Sequence, residues 1–575
     1  MRSIRPLTLL LLCPLFALPA FAGGNLWTYR NNSDLNWHKL TAAGTLLVGA
    51  DEALLCLDPQ TGKPLWTRPD LRDLPGRQVE EVAGTPFLLV TQGSFGSKVT
   101  LFALNIEDGT TLWQSEKLKG ATIGIFPVYE EDMVILFTSR HAGEAKTKPD
   151  MIAFQLSSGD VLWDVDYEDK VDLHTVEGVG KWKIHYDLSG HQDPTVANGA
   201  LYLPFAGVHK YDLKSGKLLW KSVFDVTEGK LKKGNASIVV KDGVVYSSAK
   251  GTLKALDDQT GALKWTSQDF GAAVAEVQVA GNLIYGRLGG TFYDYKDREW
   301  DLKKPLGVVA LNKTTGSVVW KFDKADDAIT NMLLLPEQNT MVIADAKTLI
   351  GLDTTSENKP TELFRTKVEF KNKVGVGGAA MKVARFGMGG LQGGLKGLSD
   401  DKKAQDVPIM LSRQENGQIV VRGRQHILAF DPKTKTIPWS VQYAAPGMSG
   451  WMKFAMASIY AMNYMSATYS ASQTYYGTAE NNRANAQRQS MIRNFSQLMN
   501  QRFSATKSGG RFVHVLTNLE EGKEKGPGLV GVDMATGAAS YQILLKDKEP
   551  DYVVDEVTGR LFNLKGKELF AYSVR

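Results

Sequence analysis

Short apolar runs separated by polar turns recur along the chain. Residues 255–265 show the full pattern, in which an apolar run leads to Asp257, a polar turn contains Gly261, and a second run ends in Trp265. An Asp or Asn that opens such a turn accepts hydrogen bonds from nearby backbone N–H groups, and glycine takes the positive φ of a tight hairpin. The pattern therefore predicts two antiparallel strands joined by a hairpin.

Further copies of this repeat differ in how well they keep its key positions. Six copies keep both glycine and tryptophan, and three are worn: Lys435 replaces the glycine before Trp439, Tyr541 replaces the final tryptophan, and the copy ending at Phe364 is lengthened. A tryptophan combines a large apolar body with one donor, which suits a wedge between neighbouring sheets. We predict structural docking roles for Trp66, Trp113, Trp163, Trp220, Trp265, Trp320 and Trp439.

The spacing of the repeats predicts a propeller. Successive turn glycines from Gly62 to Gly316 lie 47, 50, 57, 45 and 55 residues apart, and a further strand precedes most turns. About four strands per repeat at this period are typical of propeller blades. Nine turn motifs and one composite blade count to ten, so we expect an all-β fold with a single propeller of eight to ten four-stranded blades.

The two ends of the chain complement each other. Residues 560–562 and 568–572 read as two strands of a last blade that stops before its tryptophan strand, whereas residues 26–29 are such a strand with no blade before it. We expect the N-terminal strand to complete the C-terminal blade. A ring closed in this way has no exposed sheet edge at its seam.

The N-terminus has the layout of a secretory signal. Arg2 and Arg5 precede an apolar run, and small residues lie before Gly23, so residues 1–22 are predicted to be removed and residues 23–575 to form the propeller. Cys13 lies inside the apolar run and does not resemble a lipoprotein cysteine. Only Cys56 then remains, so no intrachain disulfide is possible. The formal net charge falls from +5 to +3 without the two arginines, which gives no reason to expect nucleic acid as a partner.

The layout Ala-x-Asp-x-x-Thr-Gly-x-x-x-Trp of residues 255–265 resembles the docking motif of PQQ-like (quinoprotein-like) propellers. The resemblance covers nearly all of the mature chain and implies one of two functions. One branch of the family contains dehydrogenases that bind pyrroloquinoline quinone and calcium, and the other contains non-catalytic, BamB-like scaffolds of the outer-membrane β-barrel assembly machinery. The chain has no adjacent cysteines and no Cys-x-x-Cys-His haem site. Both absences favour the scaffold branch.

The largest interruption of the repeat is residues 446–508. Its Met and Tyr residues are spaced about three to four apart, which predicts helices. Three interpretations are open: a helical hairpin packed on its own propeller, a docking element for another protein, and a membrane-inserted helix, for which the segment is too polar. As candidate partner-binding residues of the docking element we select Trp451, Met452, Phe454, Met456, Tyr460 and Tyr464.

Two smaller features interrupt the repeat. Residues 374–398 form a glycine-rich stretch without a phosphate-loop motif, and we interpret it as a flexible apolar loop. His174, His185 and His191 lie close together with Asp187 and Asp193. Their spacing matches no standard metal site, so His185 and His191 are only weak metal candidates and no metal is predicted.

The sequence therefore predicts a non-enzymatic exported scaffold without a cofactor. We expect it to bind proteins of the periplasm or outer membrane through its insertion, its loops or a strand edge, with no nucleic acid and no transmembrane span. The first alternative is a PQQ- and calcium-dependent oxidoreductase. The second alternative is a propeller that binds carbohydrate or cell wall.

Overall fold

The computed structural model describes residues 24–574, apart from 83–84, 94–97, 141–144, 178–183, 232, 295–298, 369, 371–405, 424, 444–510 and 549. Within these residues, ten antiparallel sheets form the blades. Nine have four strands, and blade 9 is described by three. We label the strands of each blade A to D in the order in which they pair. The alternately exposed D strands form the outer rim, which places the A strands around the axis.

The strand bounds follow the ring from blade 1 to blade 10. The A strands are Leu35–Leu40, Val79–Glu81, Ala121–Val128, Thr195–Ala197, Val239–Lys241, Val274–Ala280, Leu333–Leu335, Met410–Arg413 and, in blade 10, Asp551–Asp555. The B strands are Leu46–Ala50, Phe87–Gln92, Met133–Ser139, Ala200–Leu203, Val244–Ala249, Leu283–Asp294, Thr340–Ala344, Ile419–Arg422, Phe512–Glu521 and Arg560–Lys565. The C strands are Leu54–Leu57, Thr100–Asn105, Pro149–Gln155, Gly207–Asp212, Thr252–Asp257, Glu299–Asn312, Thr348–Asp353, His426–Asp431, Glu524–Asp533 and Glu568–Ser573. The D strands are Pro64–Arg68, Thr111–Gln114, Val161–Asp166, Leu218–Val223, Leu263–Thr266, Val318–Phe322, Glu362–Lys367, Thr436–Gln442, Ala539–Leu544 and, in blade 10, Asn25–Arg30.

A few elements lie outside the blade strands. One short ribbon joins the B–C connection of blade 3 to the segment after that blade, a second ribbon follows it, and three 3₁₀ turns connect other strands. The ribbon strands are Lys146–Thr147, Val171–Asp172, His174–Glu177 and Ile184–Asp187, and the turns are Gly76–Gln78, Tyr129–Glu131 and Pro336–Gln338.

The predicted closure of the ring is confirmed. Strand Asn25–Arg30 pairs antiparallel with Glu568–Ser573, so the first strand of the chain is the outermost strand of the last blade. The described residues form ten buried apolar clusters, one between each pair of neighbouring blades, including blades 10 and 1. The core is therefore a continuous ring of interfaces, and the ten-blade count is correct.

Each predicted docking tryptophan lies in a D strand and reaches the C–D turn of the next blade. In six blades its ring covers a turn glycine that has a positive φ, as Trp66 covers Gly109. Trp27 of the N-terminal strand covers Gly62 in the same way. The indole N–H groups donate to backbone carbonyls at distances of 2.7–3.2 Å: Trp27 to Pro59, Trp66 to Ile106, Trp113 to Leu156, Trp163 to Leu213, Trp220 to Asp258, Trp265 to Lys313, Trp320 to Ser356 and Trp439 to Ala535.

The two repeats that end in Phe364 or Tyr541 instead of tryptophan occur where the receiving turn is altered. Lys435 in blade 8 has a φ of +58°, close to that of the turn glycines, and its Nζ donates to the Leu363 carbonyl of blade 7 at 3.2 Å. The preceding blade carries the smaller Phe364, which packs on Phe430 with ring centroids 5.1 Å apart. Blade 10 has no C–D turn, because its D strand comes from the N-terminus, and Tyr541 of blade 9 instead shares a hydrogen bond with His514.

Candidate functional site

The alternating strand directions give the propeller two different faces. The A–B and C–D connections lie on one face, which we call the turn face. The B–C connections and the D-to-A connections between blades lie on the other, which we call the loop face. The turn face carries the short Asp/Asn–Gly turns, which the repeat itself specifies. The loop face is where the chain departs from the repeat.

The three longest connections of the chain begin on the loop face, and those after blades 3 and 7 return there, whereas the connection after blade 8 returns at the B strand of blade 9, which begins on the turn face. These connections follow the D strands of blades 3, 7 and 8 and cover residues 167–194, 368–409 and 443–511. The B–C hairpin of blade 6 has strands of 12 and 14 residues, and that of blade 9 has two strands of ten. Because loops on a rigid scaffold are the usual carriers of function, the loop face is the candidate functional surface.

The connection after blade 3 joins several blades on this face. Asp187 lies 3.8 Å from the Arg77 guanidinium beside blade 2, and the Leu188 N–H donates to the Ile123 carbonyl of blade 3 at 3.0 Å. The Lys233 N–H beside blade 5 donates to the Gly190 carbonyl at 2.8 Å. The connection therefore braces blades 2, 3 and 5, so it contacts blades that are not neighbours in the ring.

The weak metal candidates lie within this brace. His191 is buried, its Nε2 lies 2.6 Å from the Asp172 carbonyl, and its ring packs edge-on against His174 and Phe205. Burial lowers the pKa of His191. The side chain of His185 lies outside the described residues. In the described part of the chain, no group of three His, Cys, Asp or Glu side chains is placed to hold a metal ion.

A second feature of the loop face is a polar cleft between blades 4, 5 and 6. Its volume is about 630 Å³, and its walls come from residues 227–231, 250–251, 269–273 and 303–304. Four lysines, two carboxylates and several glycines line it. This volume lies within the range of ligand-binding clefts in proteins, although the lining is more polar than usual.

Around the axis, charged side chains join the A strands of blades 1 and 2. The Glu81 carboxylate accepts the Ala42 N–H of blade 1 at 2.7 Å, and Lys39 donates to the carbonyls of Gly76 and Val79 at 2.7 and 2.8 Å. Burial, opposed by these N–H donors, raises the pKa of Glu81 to about 7. We therefore expect the protonation of Glu81 to change near neutral pH.

We expect Glu81 to make stability depend on pH. Because its folded pKa lies above the unfolded value, its contribution is present in full below about pH 4.5 and is lost as the pH rises through about 7, by ~1–3 kcal/mol at most. Urea unfolding at pH 5 and pH 8 should show a smaller stability difference for Glu81→Gln than for the native chain. Exposed Glu107→Gln is the control and should leave the stability difference between pH 5 and pH 8 unchanged. The same stability difference in all three proteins would contradict the prediction.

Cys56 has the environment of an unreactive thiol. It is fully buried in the C strand of blade 1, and burial raises its pKa to about 12. Since the thiolate is the reactive form, we expect a disulfide reagent to modify the folded protein only as fast as it unfolds. A native reaction as fast as that in denaturant would contradict this prediction.

Several predicted features lie outside the described residues. They are the signal segment 1–22, the glycine-rich segment 374–398, the insertion 446–508 and its candidates Trp451, Met452, Phe454, Met456, Tyr460 and Tyr464. Their interpretations stay predictions. Among the residues that the structure describes, no helix is both long and apolar enough to cross a bilayer.

The ring, its tryptophan docking and its Asp/Asn–Gly turns define a PQQ-like repeat propeller. The chain belongs to the family described as outer membrane protein assembly factor BamB, whose model matches residues 16–172 and 204–356, more than half of the chain.

Two curated relatives match parts of the chain. BamB of Yersinia pestis is 25% identical over 297 residues, which cover 48% of this chain and 64% of that protein. The quinohemoprotein alcohol dehydrogenase ADH-IIG of Pseudomonas putida is 27% identical over 187 residues, 30% of this chain and 24% of the enzyme. The chain spans less than two thirds of the length of either relative.

Solved structures also resemble the chain. BamB from Moraxella catarrhalis is 14% identical, with a TM-score of 0.26, and the match covers 64% of this chain and 96% of that one. The computationally designed Ika8 protein is 14% identical, with a TM-score of 0.34, and the match covers 73% of this chain and all of that one.

Sequence reasoning missed the face on which the long connections begin, the cleft and Glu81. That face could have been predicted from the sequence, because each long interruption follows the aromatic residue of a D strand: Trp163, Phe364 or Trp439. The cleft could not have been predicted from the sequence, because its walls come from segments up to about 75 residues apart and nothing in their local pattern brings them together.

Proposed function

We propose that this protein is an exported, non-enzymatic scaffold that binds other proteins in the periplasm or at the outer membrane. The observation that carries the proposal is membership of the outer membrane protein assembly factor family. The loop face supports it, because a rigid ring with its long connections gathered on one side suits the binding of partners.

The insertion is the specific partner-binding element of this proposal. Flexible methionine and rigid tyrosine or tryptophan side chains suit protein recognition, and the D strand that precedes residues 446–508 ends at the loop face. Replacing this segment by a short linker should remove at least one partner from a cross-linking pull-down in cells. A variant in which the six candidate residues become Ser should lose the same partner.

A control for these variants is Leu65→Ser with Leu112→Ser, two exposed leucines of the outer rim. It removes apolar surface away from the loop face and should keep every partner. If the linker variant folds and also keeps every partner, the insertion is not the partner-binding element. If the native protein cross-links to no envelope protein, the scaffold proposal itself fails.

The match to a quinohemoprotein dehydrogenase favours a second candidate, a quinone-dependent oxidoreductase. The described residues offer no three-acid or histidine cluster for its calcium. If this second candidate is correct, protein mixed with pyrroloquinoline quinone and calcium should show the absorbance band of bound quinone and dye-linked oxidation of alcohols or sugars. The absence of both at near-stoichiometric quinone would remove this candidate.

A further inference from the structure

The connection of residues 167–194 on the loop face is held at its start by a buried imidazole. Tyr167, its first residue, stacks on His209 of the blade 4 C strand with ring centroids 4.3 Å apart, and both residues are fully buried. Among the described residues, neither ring nitrogen of His209 has an aligned hydrogen-bond partner, and the hydroxyls of Tyr167 and nearby Tyr211 have none. Burying a charge without a partner is costly, so this packing favours a neutral imidazole.

Three charged side chains face His209. An oxygen of Asp169 lies 3.4 Å from its Nε2, and Lys221 of blade 4 pairs with Asp169 at 3.0 Å and with Glu168 at 2.6 Å. Burial lowers the pKa of His209 to about 4; the two carboxylates oppose this shift and Lys221 adds to it. Protonation of His209 is therefore disfavoured for as long as Tyr167 covers the ring.

A second buried imidazole lies at the other end of the connection. The Nε2 of His191 is 2.6 Å from the Asp172 carbonyl. Burial lowers the pKa of His191, the carbonyl and the carboxylates of Asp172 and Asp187 oppose the shift, and Lys233 adds to it. Both ends of the connection therefore depend on a histidine that is more easily protonated in water than in its folded position.

The two imidazoles belong to one packed cluster. Phe205 of blade 4 lies between the two ends of the connection, with its ring centroid 6.1 Å from that of Tyr167 and 5.5 Å from that of His191. His174 packs edge-on against His191 at 5.0 Å, so protonation of both rings would place two positive charges side by side. Movement of one end disturbs the packing of the other.

The direction of the pH effect follows from the lowered pKa values. An exposed histidine has a pKa near 6.5, so the closed connection is fully favoured above about pH 6.5 and loses stability as the pH falls through about 4. A histidine of this kind acts as a switch on the acid side of neutrality.

We propose that residues 167–194 are an acid-sensitive brace, in which protonation of His209 and His191 releases the connection from the ring and changes the shape of the loop face. The same connection links blades 2, 3 and 5, so its release alters the surface that these blades present together. The proposal adds regulation to the loop face and does not depend on what binds there.

Hydrogen exchange of the purified protein at pH 7.5 and pH 5 tests the proposal, with each rate corrected for the intrinsic pH dependence of exchange. Peptides that cover residues 167–174 and 184–191 should lose protection by about tenfold or more at pH 5, because release lets His209 return to its ordinary pKa. Peptides from the B and C strands of blade 5, Val244–Ala249 and Thr252–Asp257, should keep their protection.

A double variant removes the two titrating groups. His209→Phe keeps an aromatic ring against Tyr167, and His191→Gln keeps a donor for the Asp172 carbonyl. At pH 5 this variant should retain the protection that the native connection has at pH 7.5. The matched control is His38→Phe, because His38 is also buried with unpartnered ring nitrogens but lies beside blade 10, and it should leave the acid response of the connection unchanged.

Three results would overturn the proposal. They are equal protection of the native connection at the two pH values, greater protection at pH 5, and an acid response that persists in the double variant. The second would show that Asp169 closes on a protonated His209 instead of the brace opening. If the double variant does not fold, the native protein alone decides, and loss of protection in blade 5 as well would contradict a local release. Cross-linking in cells at neutral pH tests the scaffold function separately, so the two failures are distinguishable.

Discussion

Trp27→Ala should lower the free energy of unfolding by about 3 kcal/mol, although the residue lies only a few positions from the start of the folded ring. Trp27 covers Gly62 of blade 1, donates to the Pro59 carbonyl at 3.1 Å and packs on Phe562 of blade 10. Its loss weakens the interface between the last blade and the first. That interface requires the D strand Asn25–Arg30 to stay paired with the C strand of blade 10, and no turn joins these two strands, which are more than 530 residues apart in the sequence.

The neighbouring residue supplies the control. Leu26 lies in the same strand and is 49% exposed, so Leu26→Ala should change stability by no more than about 0.5 kcal/mol. Urea unfolding measures both effects. Hydrogen exchange should also show faster exchange in residues 568–573 of the Trp27 variant. Equal stability of the two variants would contradict a closing role for Trp27.

Gly109→Ala should be at least as costly, about 3 kcal/mol or more. A Cβ at this position would lie 2.6 Å from the Trp66 ring, so the tryptophan must leave its place between blades 1 and 2. The backbone also has a φ of +70°, which costs a non-glycine residue about 1–2 kcal/mol. The backbone strain and the loss of Trp66 packing add, because the strain is local to the turn and the packing lies between blades.

Gly243→Ala separates the two penalties. Gly243 has a φ of +73° in the A–B turn of blade 5, but no atom lies within 4 Å of its Cβ position. Its substitution should therefore cost only the backbone strain, about 1–2 kcal/mol. If the two glycine variants unfold at the same urea concentration, the docking of Trp66 contributes nothing measurable.

Much of the ring could be predicted because the interactions that form each hairpin are local in the sequence. Asp58, for example, accepts the Gln60 N–H at 2.7 Å within one hairpin, and Gly62 supplies the positive φ four residues after Asp58. Such contacts join residues only a few positions apart, so the sequence shows them directly. Repetition then fixed the blade period, and the unmatched strands at the two ends predicted the closure.

The reasons for the worn repeats required the structure. Phe364 and Lys435 are 71 residues apart. Phe364 packs on Phe430 and Lys435 donates to the Leu363 carbonyl, so the packing of blade 7 on blade 8 brings the smaller ring and the missing glycine to one interface. Tyr541 departs from tryptophan in the blade that precedes the seam, where no C–D turn is available to receive an indole. From the sequence alone, these positions indicate only that the repeat has lost its glycine or its tryptophan.

By itself, the sequence determined the class of fold, a range of eight to ten blades and the borrowed N-terminal strand, because hairpin hydrogen bonds and the aromatic period are short-range properties. The tertiary structure decided which face carries the long connections, which charges meet at the axis beside Glu81, and that residues 227–304 enclose a lysine-lined cleft. Those features depend on how neighbouring blades dock in three dimensions, and that docking brings together side chains from separate repeats.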